Sequence, residues 1–228
     1  MVVEIKDLWK MYPMGNLEVQ ALRGVNLDIA EGDFVSIAGP SGSGKTTLMN
    51  IIGLIDSFDR GSLMINNLEI IDQNRRELAR LRQDFIGFVF QSFNLLPVLS
   101  VFENVELPLV MAKKGGSKAE RRDRVNCLLE AVGLAERRDH RPAELSGGQQ
   151  QRVAIARALV TKPRIVIADE PTANLDSETG EKVLSLMREI NREEKTTFIF
   201  STHDPDIWQM ADHVVFLLDG NIKSEQRR

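Results

Sequence analysis

The chain has 228 residues, of which 43% are hydrophobic and 27% charged, and its formal net charge is −4. These values are ordinary for a globular protein of one domain, with or without a subdomain. The acidic balance argues against a nucleic-acid-binding protein, and a single cysteine excludes an internal disulfide and a cysteine-only metal site. No stretch approaches the roughly 20 apolar residues of a membrane span. We therefore expect a cytoplasmic protein, and any role at a membrane needs a partner.

The first 30 residues predict a small antiparallel β layer. Apolar and polar residues alternate imperfectly from Val3 to Ile29, and two glycine-containing pairs, Gly15-Asn16 and Arg23-Gly24, indicate turns. Tyr12, the only tyrosine, is followed by Pro13, so we expect it in a loop.

Residues Gly39–Thr46 read G-P-S-G-S-G-K-T and fit the pattern G-x-x-x-x-G-K-[ST]. An apolar run before them predicts a buried strand, and the residues after them predict a helix. Glycines let backbone N–H groups close around phosphate oxygens, and the helix N-terminus adds unpaired donors and a positive dipole end. We predict a nucleoside triphosphate site, with Lys45 at the β- and γ-phosphates and the Thr46 hydroxyl on Mg²⁺.

The position of Tyr12 ahead of this loop gives it two interpretations. Its ring could stack on a nucleotide base. A surface aromatic without a ligand is the simpler interpretation of the sequence alone.

Short strands at Leu63–Asn66 and Ile86–Phe90, with a basic helix from Arg75 to Arg82 between them, are predicted next. The pattern then changes, because no buried strand is indicated from Asn94 to about Arg141. We interpret residues 92–145 as a helical subdomain inserted into a core made of residues 1–91 and 146–228.

One helix of this insertion is predicted from apolar residues spaced i, i+3, i+4, i+7. These residues are Val125, Leu128, Leu129 and Val132. Cys127, in the same helix, is expected to be a small core residue. The basic residues from Lys113 to Arg124 favour a solvated helix face, and contact with lipid headgroups is the alternative.

An α/β pattern resumes after the insertion. A helix is predicted over Arg152–Val160 and another around Val183–Ile190, between strands at Ile165–Ala168, Thr197–Ser201 and Val214–Leu218. Alternating strands and helices predict an α/β fold, a mainly parallel sheet flanked by helices. Ligands bind such sheets at the carboxyl ends of the strands.

Three polar sites follow strands and are predicted to share that edge: Gly39, Asp169-Glu170 and His203. Two carboxylates at the end of a buried strand are costly unless something uses them. Beside a phosphate loop, Asp169 would hold Mg²⁺ and Glu170 would orient or deprotonate an attacking water. His203 is a candidate γ-phosphate contact. A helix-capping role for the acidic pair is the alternative interpretation.

The segment Leu145–Gln149, L-S-G-G-Q, places two glycines and a serine before a helix. It is therefore a second helix N-terminus suited to an anion. One nucleotide already has a phosphate loop, so spacing alone does not say whose phosphate this segment contacts.

Lying between Gly39–Thr46 and Ile165–Glu170, the Leu145–Gln149 segment resembles the signature motif of ATP-binding cassette (ABC) ATPases, and the resemblance covers essentially the whole chain. It implies a P-loop NTPase core in a single nucleotide-binding domain. It also implies that Tyr12 stacks on adenine, Gln91 contacts Mg²⁺ and the attacking water, Glu170 is the catalytic carboxylate and His203 the switch histidine.

The resemblance implies three sets of site residues. The ATP-binding set is Tyr12, Gly39, Ser41, Gly42, Ser43, Gly44, Lys45, Thr46, Thr47, Gln91, Ser146, Gly147, Gly148, Gln149, Asp176 and His203. The Mg²⁺ set is Thr46, Gln91 and Asp169. The catalytic set is Lys45, Gln91, Glu170 and His203.

The resemblance also implies partners. Two cassettes would dimerise head to tail, so that Ser146 and Gly148 of one contact the γ-phosphate bound by the other. Gln91–Pro97 and Glu103–Leu109 are similar to the macrolide-efflux and lipoprotein-release group, whose members drive a membrane permease, separate or fused. The chain would then lie on the cytoplasmic face of the membrane, with no nucleic acid partner, and the apolar side chains after Gln91 would meet the permease.

Other enzyme classes fit less well. There is no N-K-x-D segment of a GTPase, and a kinase would leave Leu145–Gln149 unexplained. A chromosome-maintenance ATPase needs a long coiled-coil insertion, and a translation-type protein carries two cassettes. The alternative that stays open is a regulatory cassette that acts through a membrane partner, as in cell division.

Overall fold

The computed structural model describes residues 1–15, 17–71 and 74–228. The predicted turn at Gly15-Asn16 is only partly covered, because Asn16 lies outside the described residues. The strands are β1 Val3–Met14, β2 Leu17–Ile29, β3 Phe34–Ala38, β4 Arg60–Ile65, β5 Leu68–Glu69, β6 Ile86–Val89, β7 Ile165–Ala168, β8 Thr197–Thr202, β9 His213–Leu218 and β10 Asn221–Arg227. The helices are α1 Lys45–Ile52, α2 Arg75–Phe85, α3 Val101–Met111, α4 Lys118–Ala131, α5 Gly147–Leu159, α6 Ser177–Glu194 and α7 Pro205–Trp208, with 3₁₀ turns at Ala135–Arg137 and Pro142–Glu144.

The larger sheet has six strands in the order β10-β9-β3-β8-β7-β6. Every neighbouring pair from β9 to β6 is parallel, and β10 is antiparallel at one edge. Alternate side chains of a strand point to opposite faces of the sheet, and each face has its own hydrophobic core. In β3, Val35 and Ile37 pack with α1 on one face, whereas Phe34 packs with α5 and α6 on the other. Helices therefore cover both faces, and the predicted α/β fold is confirmed.

The smaller sheet has the order β2-β1-β4-β5, and its pairs are antiparallel. The predicted turn at Arg23-Gly24 is wrong, because both residues lie inside β2. Leu8 faces Val25 and Lys10 faces Leu22, so β2 has one extra residue there, and Gly24 accommodates it with φ +66°. The expected loop around Tyr12 is also wrong, since Tyr12 is part of β1.

Reciprocal side-chain caps mark where four of the helices begin. Asn74, Ser100, Ser117 and Ser146 each accept a hydrogen bond from the third residue of the following helix, whose Glu or Gln bonds back. The cap at Ser146 explains why α5 begins at Gly147, five residues before the predicted start.

Residues 90–164, between β6 and β7, form helices and loops. Val125, Leu129 and Val132 are buried as predicted, and they pack with α3 and with the Val153 side of α5. Cys127 is exposed, so its predicted core position is wrong. It stands two positions from Val125, about 200° around the helix, and therefore on the opposite face.

Candidate functional site

The parallel strands β3, β8 and β7 are neighbours, so the residues that follow them meet at one edge of the sheet. There they line a cavity of about 660 Å³. The lining residues are Tyr12, Val19, Gln20, Ala21, Arg23, Ser41, Gly42, Gly44, Lys45, Thr46, Thr47, Glu170, His203, Asp219 and Gly220. The cavity thus joins the phosphate-loop residues to Tyr12, Glu170 and His203, which are far apart in sequence.

The loop between β3 and α1 depends on glycine at two positions. A Cβ on Gly39 would lie 2.1 Å from the Leu217 carbonyl oxygen, and one on Gly44 would lie 2.6 Å from that of Ala21. Both residues also have positive φ, +148° and +103°. Gly44 provides no side-chain cap for α1, so the first N–H groups of that helix stay available to an anion.

Lys45, the first residue of α1, curls back over the loop. Its side-chain Nζ donates to the carbonyl oxygens of Gly39 and Pro40 at 2.8 and 2.9 Å. The ammonium is therefore held beside the backbone N–H groups of the loop, where it adds a positive charge to an anion-binding concavity.

The two acidic residues after β7 have different neighbours. Asp169 Oδ2 lies 3.4 Å from Thr46 Oγ1, and Asp169 Oδ1 accepts a 2.6 Å hydrogen bond from Ser201 Oγ. The same Ser201 oxygen accepts from the Glu170 backbone N–H at 2.8 Å. Glu170 itself has φ +45°, a strained conformation for a residue with a Cβ. The capping interpretation is wrong, because Asp176 caps α6.

His203 lies after β8, and its Nδ1 is 3.3 Å from Glu170 Oε1. The His203 side chain is 67% exposed and that of Glu170 27% exposed. Both can therefore reach a molecule in the cavity, and the pair can hold or move a proton there.

Several predicted site residues do not line this cavity, among them Gln91, Ser146, Gly148 and Asp176. Gln91 follows β6 and is exposed, and its backbone oxygen accepts from Asn174 Nδ2 at 2.9 Å. Ser146 is exposed at the start of α5, where its Oγ accepts from the Gln149 N–H. The N–H and hydroxyl of Thr179 lower the pKa of Asp176, which caps α6.

Gly148, behind Ser146, is buried where α5 meets α6, and a Cβ there would lie 2.3 Å from Thr179 Cγ2. The second helix N-terminus thus opens on a different part of the surface from the cavity. This helix N-terminus therefore lies on the surface of the chain, away from the chain's own phosphate loop.

Sequence reasoning missed Ser201 and part of the cavity wall. Ser201 could have been found, since a hydroxyl within the buried strand β8, two residues before His203, needs a polar partner. The wall from Val19 to Ala21 and the Asp219-Gly220 turn gave no signal, because nothing in their sequence indicates that they face the loop.

Oxygen donors suited to Mg²⁺ lie together at Thr46 and Asp169. A hydroxyl and a carboxylate are ligands this hard cation prefers, and it usually takes only one or two carboxylates plus phosphate oxygens and water. The described residues contain no group of three or more His, Cys, Asp and Glu that could hold a metal by themselves. The Thr46 hydroxyl and the Asp169 carboxylate fit the ligand chemistry of Mg²⁺.

In the part of the chain that the structure describes, no helix combines the length and the apolarity needed to cross a bilayer.

Comparison with known proteins identifies the family. Residues 22–173 match the family described as ABC transporter. The chain is 47% identical to the ABC transporter ATP-binding protein MJ0796 of Methanocaldococcus jannaschii, over 99% of this chain and 97% of that one. It is also 47% identical to the macrolide export ATP-binding/permease protein MacB of Bdellovibrio bacteriovorus, but it spans only 34% of that relative.

Solved structures agree. One of them is a dimeric structure of the ATP-binding cassette MJ0796 in a post-hydrolysis state bound to ADP and Pi. It superposes on this chain with a TM-score of 0.90, and the match covers 99% of this chain and 98% of that one. Cassette cbiO1 of Clostridium perfringens has a TM-score of 0.89 at 32% identity, covering 99% of this chain and 88% of that one. The chain belongs to the ABC transporter family and is one of its ATP-binding, ATP-hydrolysing cassettes.

Proposed function

We propose that the chain is the ATPase subunit of a membrane transporter, which binds ATP between two copies of itself. The observation that carries this proposal is the single cavity that joins the phosphate loop to Tyr12, Glu170 and His203. Its volume of about 660 Å³ suits a nucleotide.

In this proposal the triphosphate lies on the loop, with Lys45 at its β- and γ-phosphates and the base against Tyr12. Glu170 accepts a proton from the water that attacks the γ-phosphorus, and the bond to the bridging oxygen of ADP breaks. His203, 3.3 Å from Glu170, holds the carboxylate and contacts the γ-phosphate. Ser201 fixes the position of the acidic pair through its two hydrogen bonds.

Mg²⁺ would be held by Thr46 and Asp169, with Gln91 as a third ligand. When bound, it neutralises the charge of the β- and γ-phosphates. The short link from Ser201 to Asp169 keeps one carboxylate oxygen occupied and leaves the other facing Thr46.

The exposed N-terminus of α5 supports a second copy as partner. Ser146, Gly147 and Gly148 lie outside the cavity of their own chain, so in a head-to-tail dimer they complete the site of the other. Such an interface is isologous and creates two equivalent sites. The relative MJ0796 has been solved as a dimer at 47% identity.

A groove between the core and residues 92–145 supports a membrane partner. It has a volume of about 320 Å³ and lies where α2, β6, α3 and α5 meet. Phe88, Phe90, Leu107 and Met111 are among its lining residues, and the segment after Gln91 contributes Asn94. An apolar groove of this kind suits a helix from a permease. We therefore propose a helical subdomain at 92–145 and a peripheral position on the cytoplasmic face of the membrane.

Complementation between two inactive variants tests the composite site. Lys45→Ala removes the charge that binds phosphate, and Ser146→Arg obstructs the second helix N-terminus, so each variant alone should lack ATPase activity. A mixed dimer contains one site built from an intact loop and an intact Ser146–Gly148 segment. Mixing should therefore restore phosphate release, and a mixture as inactive as its components would contradict the proposal.

A further inference from the structure

Tyr12 is held at the rim of the cavity by a partly buried ion pair, Lys10–Asp56, that the catalytic proposal does not use. Its hydroxyl donates a 2.5 Å hydrogen bond to Asp56 Oδ2, while the other Asp56 oxygen lies 3.1 Å from Lys10 Nζ. Lys10 is only 6% exposed, and its ammonium lies 5.0 Å from the centre of the Tyr12 ring. Lys10 and Tyr12 are two positions apart on β1 and therefore project from the same face.

Asp56 connects this ring to the phosphate-binding helix. Its backbone N–H donates to the Asn50 carbonyl oxygen at 3.2 Å, and Asn50 belongs to α1. The other end of α1 carries Lys45 and Thr46. The Tyr12–Asp56 bond thus joins the strand that presents the aromatic ring to the helix that presents the phosphate loop.

The charges of the network keep this bond formed. Burial by itself raises the pKa of Asp56, but the hydrogen bonds from Tyr12 and Lys10 outweigh it, so the net direction is downward. Burial and the hydrogen bond to Asp56 raise the pKa of Tyr12. Asp56 therefore stays an anionic acceptor and Tyr12 a protonated donor around neutral pH, which makes the bond charge-assisted.

We propose that Asp56 and Lys10 are positioning residues for ATP. They hold the Tyr12 ring at a fixed distance from the phosphate loop, so that the base can stack while the triphosphate occupies the loop. A ring fixed before the ligand arrives loses less rotamer freedom on binding, which favours affinity. This inference rests on the proposed function, in which Tyr12 contacts the base.

The test compares a ligand that has a base with one that does not. Equilibrium binding of ATP and of inorganic tripolyphosphate is measured for the unmodified chain, Asp56→Asn and Tyr12→Ala. In Asp56→Asn the Tyr12 ring is no longer held in place to stack on the base. This variant should therefore bind ATP about tenfold more weakly and bind tripolyphosphate as the unmodified chain does. Lys10→Met should give a smaller loss in the same direction. Asp7→Asn, on the same strand with its carboxylate bonded to Trp9, is the control and should bind both ligands normally.

The single tyrosine supplies a direct readout of the network. Because the chain has only one tyrosine, the ultraviolet absorbance of tyrosinate in an alkaline titration reports Tyr12 alone. Removing the Asp56 charge should lower the midpoint of this titration, and Asp7→Asn should not move it. Tyr12→Phe, which keeps the ring and loses the hydroxyl, should weaken ATP binding but not tripolyphosphate binding, even if Asp56→Asn does not fold.

Four outcomes would contradict the positioning role or the proposed base contact. Equal losses for both ligands, or unchanged ATP binding, in Asp56→Asn and Tyr12→Phe would overturn the positioning role. An unmoved tyrosine titration in Asp56→Asn would overturn it as well. If Tyr12→Ala binds ATP normally, the base contact in the proposed function fails and the inference falls with it.

Discussion

At the residue scale, two adjacent carboxylates at the end of β7 are separated by backbone conformation. The positive φ of Glu170 turns its side chain toward His203, while Asp169 faces Thr46. A left-handed conformation at a residue with a Cβ costs on the order of 1–2 kcal/mol. The hydrogen bond from the Glu170 N–H to Ser201 offsets part of this cost. The strain thus lies where the proposed base must point away from the proposed metal ligand.

Glu170→Gln tests the division between the two carboxylates. Glutamine has nearly the same shape but cannot accept the proton of the attacking water, so ATP should bind normally while turnover falls by about 100-fold or more. The ATP-bound dimer should then accumulate, which gel filtration with ATP detects. The conservative exchange Glu178→Gln, on the exposed side of α6, should leave turnover unchanged. Ordinary turnover in Glu170→Gln would contradict the assignment.

His213 gives a residue-scale prediction about pH. It is 1% exposed at the start of β9, and this burial lowers its pKa. The charge of Arg227 lowers the pKa further. The carboxylates of Asp33 and of Glu225, whose Oε1 lies 2.8 Å from His213 Nε2, act in the opposite direction without reversing the shift. The folded chain therefore binds this proton less readily than the unfolded chain. Neutral His213 therefore contributes to the free energy of unfolding above about pH 6.5, and this contribution is lost as the pH falls below that value.

His213→Gln removes that titration. Urea unfolding between pH 7 and pH 5 should show a smaller loss of unfolding free energy in the variant than in the unmodified chain. Identical pH dependence of the two proteins would show that His213 does not contribute.

At the scale of elements, α5 differs from the other capped helices in what surrounds its first turn. Ser100, Ser117 and Ser146 form the same reciprocal cap, but only α5 begins with two glycines. Gly148 lies so close to α6 that no Cβ fits. The first turn of α5 is therefore fixed against α6, with its backbone donors near the exposed Ser146.

Ser146→Arg and Ser117→Arg form a matched pair. Each removes one serine cap from an exposed helix start, so each should lower stability by a similar amount, about 1 kcal/mol. Only Ser146→Arg should abolish ATP-dependent dimerisation. A single chain of either variant should still bind ATP. The measurement is gel filtration in the Glu170→Gln background. A normal dimer of Ser146→Arg would rule out contact of this segment with the other copy's nucleotide.

At the scale of the whole molecule, α5 runs from the exposed Ser146 cap to the apolar groove, which Arg157 and Ala158 help to line. Arg157 of α5 donates to the backbone oxygens of Asn94 and Phe93, at 2.5 and 2.7 Å. These two residues have positive φ and follow Gln91. Movement of α5 relative to the core would therefore reach the groove through this loop.

Two neighbouring residues of α3 test the groove. Met111 lines it and is 70% exposed, whereas Val110 is 51% exposed and does not line it. Met111→Glu should abolish co-purification with the membrane subunit, while Val110→Glu should retain it, because only Met111 is part of the apolar lining that a permease helix would cover. Both should keep the ATPase activity of the isolated chain. Equal co-purification of the two variants would place the permease elsewhere.

Local signals in the sequence were sufficient for most elements. The strand β7 has the predicted bounds, and the buried strands before the phosphate loop and before His203 were found, because continuous apolar runs identify strands that are covered on both faces. Three predictions that depended on the position of a neighbour failed. The Arg23-Gly24 pair is a bulge in β2, Tyr12 is in β1, and Cys127 faces solvent.

The sequence by itself determined the chemistry available to this protein. Loop glycines with Lys45 and Thr46, the acids after β7 and the L-S-G-G-Q segment are each contiguous, so their chemistry is readable from neighbours in the chain. Only the tertiary structure decided which of them meet. The strand order β9-β3-β8-β7 comes from pairing between distant segments, and it brings Glu170 and His203 to the phosphate loop. The same packing leaves Ser146 outside, because α5 is fixed against α6 on another face of the chain.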